Sequence, residues 1–250
     1  MSRNKNLKLA NENVATQSNE LIEASYKMSV PAKRVMLMLL GKIHPFQQDI
    51  SGKIRIEAKD YSDKTGVALN HAYADIKNGC RELMRTIIKT KDNVRRTTSE
   101  CVVVHWMEYH ENEGWLEATF TPWIAPFIHK LHDNGYKKIS INEAIKFKRF
   151  HTIRLYELLM QWKSTGQRYI SIEDLRRVFQ IGEKQYPRFA DLKRWVLEPS
   201  VLEINKNTER NTKYKSVKTG RRVTSISFSF SQERKNEAIE KCPYTIEMFD

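Results

Sequence analysis

Glycine is scarce in this chain, with nine residues in 250, so there is little loop material from which to build phosphate cradles. No Gly-x-x-x-x-Gly-Lys-Ser/Thr run occurs, which excludes the P-loop route to ATP hydrolysis. No Gly-x-Ser-x-Gly elbow occurs either, which removes the serine-hydrolase signature. Cysteines number three, Cys80, Cys101 and Cys242. Odd in number and widely spaced, they support neither a disulfide framework nor a zinc site, and they fit a reducing cytoplasm. No apolar run approaches 18 residues, so no membrane-spanning helix is expected. The charged start Met-Ser-Arg-Asn-Lys-Asn leads into no apolar stretch of the kind a secretory signal has. A strand-nicking enzyme would need a His-hydrophobe-His metal pair beside a nucleophilic tyrosine, and no His-x-His occurs. His105 and His110 are five apart and His129 and His132 three apart, a spacing read as solvated or core histidines. No catalytic residue, metal or cofactor is expected.

What the chain has in excess is positive charge. Lys and Arg total 43 against 30 Asp and Glu, a net of +13. Such a surplus points to a polyanionic partner, nucleic acid before an anionic membrane surface. The charge is uneven: residues 1–120 carry +3 and residues 121–250 carry +10. Arg188 to Arg222 alone holds ten bases and four acids. Apolar residues interleave them, so they belong to a folded surface and not to a basic tail.

Along the chain, residues 1–18 are polar and Asn-rich and read as a flexible arm. A helix is expected from Pro31 to just before Pro45, with proline in its first turn. A strand at Ile54–Ile56, a helix at 59–65, a turn at Gly66 and a helix at 68–84 follow. Strands are expected at Ile87-Ile88, Cys101–Trp106 and Trp115–Phe120, the last two joined by a turn at Asn112-Glu113-Gly114. The second half repeats this order. There is a helix at 151–162, a strand at 169–172, a helix at 173–179 opened by Ser171 and Asp174 at capping-box spacing, and a helix at 188–205. Pro199 should kink or divide that last helix. Lys213–Phe230 then forms a hairpin turning at Thr219-Gly220.

The halves match at an offset of 116. Ile54 and Ile56 fall on Ile170 and Ile172, Ala74-Asp75-Ile76-Lys77 on Ala190-Asp191-Leu192-Lys193, Leu39 on Leu155 and Ile43 on Leu159. The order helix, strand, helix, helix, hairpin is that of a winged helix, in which the last helix enters the major groove and the hairpin touches the flanking backbone. The fold class is therefore α+β, two tandem winged-helix domains related by internal duplication. They divide as an arm at 1–18, an N-terminal domain at 19–135, a C-terminal domain at 136–235 and a tail at 236–250. In the second copy Phe189, Leu192 and Val196 should face the core. Arg194, able to grip guanine O6 and N7 bidentately, is the first choice for base readout. Lys193 and Arg188 are open between base and phosphate, and Lys213, Lys215, Lys218, Arg221 and Arg222 of the wing suit phosphates. In the first copy Lys77, Arg81 and Arg85 stand against Asp75 and Glu82, a near balance that fits backbone contact. Its apolar hairpin strands are read either as core or as a subunit interface.

Ile153-Arg154-Leu155-Tyr156-Glu157-Leu158-Leu159, Ile172-Glu173-Asp174-Leu175-Arg176, Phe189-x-x-Leu-Lys-Arg194, Glu203-Ile204-Asn205 and Gly220-Arg221-Arg222, with Gln17-Ser18-Asn19-Glu20-Leu21 near the start, stand in one order. Together they resemble the replication initiators of iteron-containing bacterial plasmids, over about residues 17–232. The resemblance implies that the C-terminal domain reads repeated origin sites in double-stranded DNA. It implies that the N-terminal domain adds backbone contacts and most of the homodimer contact. Monomers would start replication on direct repeats and recruit host replication proteins, such as the host initiator and helicase. Dimers would repress the protein's own gene. Two alternatives stay open from the sequence: a dimeric winged-helix transcriptional repressor without initiator activity, and a DNA-nicking enzyme.

Overall fold

A computed structural model describes residues 12–44, 50–92, 96–110, 113–129 and 135–231. The tail expected at 236–250 and the first eleven residues of the expected arm lie outside them. The chain forms two compact units, 1–150 and 151–250.

In the N-terminal unit the order is β1 (Val14–Ser18), α1 (Asn19–Glu23), α2 (Val30–Gly41), β2 (Ile54–Glu57), α3 (Ala58–Thr65) and α4 (Leu69–Leu83). Then come β3 (Ile87–Asp92), β4 (Thr97–Val102), β5 (Val104–His110), β6 (Trp115–Phe120), α5 (Ala125–His129), β7 (Tyr136–Ser140) and α6 (Ile141–Ala144). Ser29 caps α2 by accepting from the Ala32 N–H, and Pro31 in the first turn loses nothing because the N–H it lacks would be unbonded there. Gly66 closes α3 at φ +73°, a conformation that favours glycine. Helices α2 and α4 approach so closely that a Cβ on Gly79 would lie 3.1 Å from the Pro31 backbone.

The expected arm is corrected over residues 14–18. These form a strand antiparallel to Tyr136–Ser140, with Ala15 and Gln17 fully buried. The domain division moves with it, from after residue 135 to after Phe150. Strand β7 is tied to β1, and the Phe147 carbonyl accepts from the buried Arg34 guanidinium at 3.2 Å. The strand expected over Cys101–Trp106 is two strands. At the fully buried Val103 the chain leaves β3, which pairs with β4, and joins β6.

The C-terminal unit runs α7 (Phe150–Met160), β8 (Gln167–Ser171), α8 (Ile172–Val178), α9 (Phe189–Leu192), α10 (Glu198–Asn207), β9 (Asn211–Thr219) and β10 (Arg222–Ser231). Ser171 caps α8, accepting from the Asp174 N–H at 2.9 Å while its hydroxyl donates to the Asp174 carboxylate at 2.8 Å. The capping box is thus built with a shorter acid that reaches the Ser171 hydroxyl. Pro199 does not divide the last helix. Residues 193–197 form a π turn, in which the Glu198 N–H reaches back to the Lys193 carbonyl, and the chain stays helical from Phe189 to Asn207. The wider turn takes up the proline that an ordinary helical interior would reject.

Both units carry the same sheet. Their strand orders are β2-β6-β5 and β8-β10-β9, antiparallel throughout. Ile76 and its counterpart Leu192 are both buried to within 1%. Ile54 pairs with Ala118 and Ile170 with Ile226, so the offset of 116 along the helices becomes 108 at the hairpin. Each unit is a winged helix, and the β3–β4 hairpin is an addition to the first.

Candidate nucleic-acid interface

The helix from Phe189 onward presents two faces. Leu192 and Val196 are buried, as the spacing predicts, while Phe189 is only half-buried. Arg194 is exposed on the other side and makes no salt bridge among the described residues. Its guanidinium lies 5.0 Å from the centre of the Trp195 ring. Lys193 is half-buried and stands 3.7 Å from Glu198. Arg188, at the helix start, donates to both Asp191 oxygens at 2.9 and 3.2 Å. Those bonds hold the Asp191 carboxyl below its ordinary range and raise the guanidinium. Of the three predicted residues, Arg194 therefore offers the least encumbered fork.

The loop that leads into this helix is fastened by one side chain. Arg176 of α8 donates to the carbonyls of Gly182 at 2.5 Å, Gln185 at 2.6 Å and Tyr186 at 3.1 Å. Gln180 and Tyr186 take positive φ of 50° and 49°, so the loop is held in a conformation that non-glycine residues rarely adopt.

The five wing bases are all exposed, and they divide into two groups. Lys218, Arg221 and Arg222 gather at the tip, around Gly220 at φ +62°. Lys213 and Lys215 lie in the body of β9. Tyr214 between them turns its ring to Phe228, so the two lysines sit on the outer face. Opposite them in the register are Ser229 and Ser227, with Tyr169, 63% exposed, beside Ser227. Arg210, counted in the basic stretch, is buried and belongs to the packing of the domain.

In the first copy the acids on α4 are engaged elsewhere. Asp75 accepts from the Tyr61 hydroxyl at 3.2 Å, and Glu82 accepts from the Ser29 N–H and hydroxyl at 2.7 and 2.5 Å. Arg81 and Arg85 are exposed, while Lys77 is half-buried with its ammonium 4.7 Å from the Tyr109 ring centre. The hairpin strands expected to be apolar divide by alternation. Leu116, Ala118 and Phe120 are core, whereas Glu108 faces Glu117 and His110 faces Trp115 across the sheet. Two carboxylates directly opposite repel. Lys53 answers both, at 3.0 and 3.4 Å, and its hydrogen bond holds the Glu108 carboxyl below its ordinary range. Glu108, His110 and Glu117 place one ligand atom each within 4.8 Å of one another. The Lys53 ammonium offsets one of the two carboxylate charges in that cluster, and the His110 ring stacks on Trp115 with centroids 3.4 Å apart.

Sequence reasoning missed Trp195 as a surface residue and Arg176 as the loop's fastening. An aromatic inside a basic helix was the available signal for the first. The second had none, because its partners are backbone carbonyls. No described helix is long and apolar enough to cross a membrane.

The family description "Initiator Replication protein, WH1" matches residues 14–160, and "Initiator Rep protein, WH2" matches 171–230. An uncharacterized 27.6 kDa protein of Escherichia coli is 30% identical over 237 residues, covering 88% of this chain and 96% of the relative. The PI protein of Escherichia coli is 26% identical, covering 85% and 80%. A replication initiation protein of the same organism is 21% identical, covering 91% and 72%. Among solved structures, the Pi initiator protein in complex with iteron DNA superposes with a TM-score of 0.78 at 23% identity, over 88% of this chain and 97% of that one.

Proposed function

We infer that this chain, which belongs to the Initiator Replication protein family through both of its winged-helix domains, starts replication by binding directly repeated sites in its own origin as a monomer. It is a DNA-binding initiator and works without catalysis. Arg194 on the exposed face of the Phe189–Asn207 helix reads base edges in the major groove. Lys193 and Arg188 support it, and Lys218, Arg221 and Arg222 at the wing tip neutralise flanking phosphates, with Lys213 and Lys215 behind them. Arg81, Arg85 and Lys77 give the N-terminal domain a weaker hold on the backbone. The observation that carries this reading is the pairing of an exposed arginine, with no salt bridge among the described residues, on the recognition helix with a wing tip that carries three exposed bases. A relative of the same fold was solved on iteron DNA.

Bound monomers destabilise an adjacent A·T-rich stretch and recruit host replication proteins in the cytoplasm. Dimers, joined through the N-terminal domain, bind an inverted form of the site and repress the gene. Footprinting on DNA flanking the gene tests the reading. A ladder of evenly spaced protected repeats is expected. A single protected inverted repeat, with no direct repeats bound, would reduce the protein to a repressor. Metal-dependent cleavage of supercoiled DNA would replace the binding mechanism altogether.

A further inference from the structure

The recognition helix carries an aromatic that the charge argument does not use. Trp195 is 57% exposed on that helix, on the element that a winged helix places in the major groove. It stands in the π turn at residues 193–197, beside Arg194. Side chains one apart on an ordinary α-helix do not face each other. Here the wider turn brings them together, with the guanidinium 5.0 Å from the ring centre. Leu202, 53% exposed, adds further apolar surface along the same helix. The π turn therefore presents a bidentate donor and a flat apolar surface side by side. In the major groove the two features that ask for such a pair are guanine, with acceptors at O6 and N7, and thymine, with a protruding C5-methyl group.

We propose that Trp195 is a specificity-determining residue that packs against a thymine methyl next to the base read by Arg194. The inference rests on the origin-binding reading above and deepens it. Trp195 touches no catalytic chemistry. It contributes apolar burial on binding and holds the Arg194 fork over its ring, so that less freedom is lost when the guanidinium meets guanine.

Replacing thymine by deoxyuridine removes the methyl and nothing else from the base edge. The test is a four-way comparison of the full chain. Wild type and Trp195→Ala are each titrated by gel shift against the footprinted origin fragment, made once with thymidine and once with deoxyuridine. Burial of one methyl-sized group corresponds to about a fourfold change in affinity. Wild type should lose about that factor on the deoxyuridine fragment, and Trp195→Ala should be indifferent to the methyl. Trp195→Phe should keep part of the methyl dependence. Because the residue is exposed, all variants should melt with wild type. An equal response of wild type and Trp195→Ala to the methyl overturns the proposal, since the methyl contacts then lie elsewhere. So does a loss on all DNA alike, which would mark a backbone contact, and so does a change confined to self-association. Failure of wild type to prefer the thymidine origin over unrelated DNA would refute the origin-binding reading itself, and that is scored in the same titration.

Discussion

Replacing Arg176 by alanine should unfasten the recognition helix without removing any residue that touches DNA. The guanidinium bonds the loop carbonyls of Gly182, Gln185 and Tyr186 at 2.5 to 3.1 Å, with that of Glu183 a longer fourth at 3.4 Å. A hydrogen bond from a charged donor contributes about 1.5–3 kcal/mol when well shielded. Arg176 is half-buried, so about 1 kcal/mol each, or about 3 kcal/mol together, is a fair figure for holding the loop shut. Against it stands the cost of two non-glycine residues, Gln180 and Tyr186, at positive φ, of order 1 kcal/mol or more each. The two are close in size, so the loop should open locally once the clamp is gone. Urea denaturation should show a loss of about 1–2 kcal/mol, because the core below Leu192 remains packed. Amide exchange should rise over residues 182–192. Specific DNA affinity should fall at least tenfold, about 1.4 kcal/mol, with non-specific binding nearly unchanged. Arg176→Lys should recover only part, since an ammonium at one point cannot span three carbonyls. Wild-type exchange over 182–192 together with wild-type affinity in Arg176→Ala would refute the reasoning.

Other outcomes follow from the same geometry. Arg194→Ala should abolish or relax site preference at an unchanged melting temperature, and normal origin affinity in gel shift would remove the residue from base readout. Lys218→Ala at the wing tip should lower the slope of log affinity against log salt by about 0.9, the signature of one lost phosphate contact. Lys215→Ala, on the outer face of the sheet, measures whether that face reaches the backbone at all. Gly166→Ala should cost about 2–3 kcal/mol by thermal unfolding, because its φ is +67° and a Cβ would stand 2.8 Å from the Phe230 carbonyl. Gly114→Ala, at φ +71° in open space, should cost visibly less. Burial pushes the Cys80 thiol up to about 12. The unfolded thiol ionises near pH 8.5 while the folded one stays neutral. The contribution is therefore intact below pH 8.5 and lost as pH rises toward 12. Cys80→Ala should flatten the fall in stability between pH 8.5 and 10.

Local signals wrote most of the helices and both wings into the sequence. Pro31, Gly66, Ser171 with Asp174 and Gly220 are helix starts, caps and turns whose chemistry acts within a few residues, and each stands where it was expected. What local reading missed was set by distant partners. Val14–Ser18 looks like arm because its composition is polar; it becomes a strand only by pairing with a segment some 120 residues downstream. The break at Val103 is a change of partner from β3 to β6, and no residue type announces it. Pro199 carried a true signal whose outcome depended on context, since a π turn can take up a proline that an α turn would expel. For the candidate site, residue type located Arg194 and the wing bases. Their division into tip and outer face needed the strand register.

The two copies also show why counting charge along a segment understates what a helix offers. By count α4 is nearly neutral, which fits backbone contact better than base readout. Yet Asp75 is turned to the Tyr61 hydroxyl and Glu82 to the N-cap of α2, so both acids serve the packing of the domain and leave Arg81 and Arg85 exposed. In the second copy Asp191, the counterpart of Asp75, is turned outward to Arg188 and lowers the charge at the helix start instead. An acid in the same register thus frees the bases of one helix and restrains those of the other. What sets the field at each surface is where the carboxylates point: residues 151–250 carry +6 and residues 1–150 carry +7, and it is the five exposed bases of the second wing that concentrate the charge of the C-terminal domain on its hairpin.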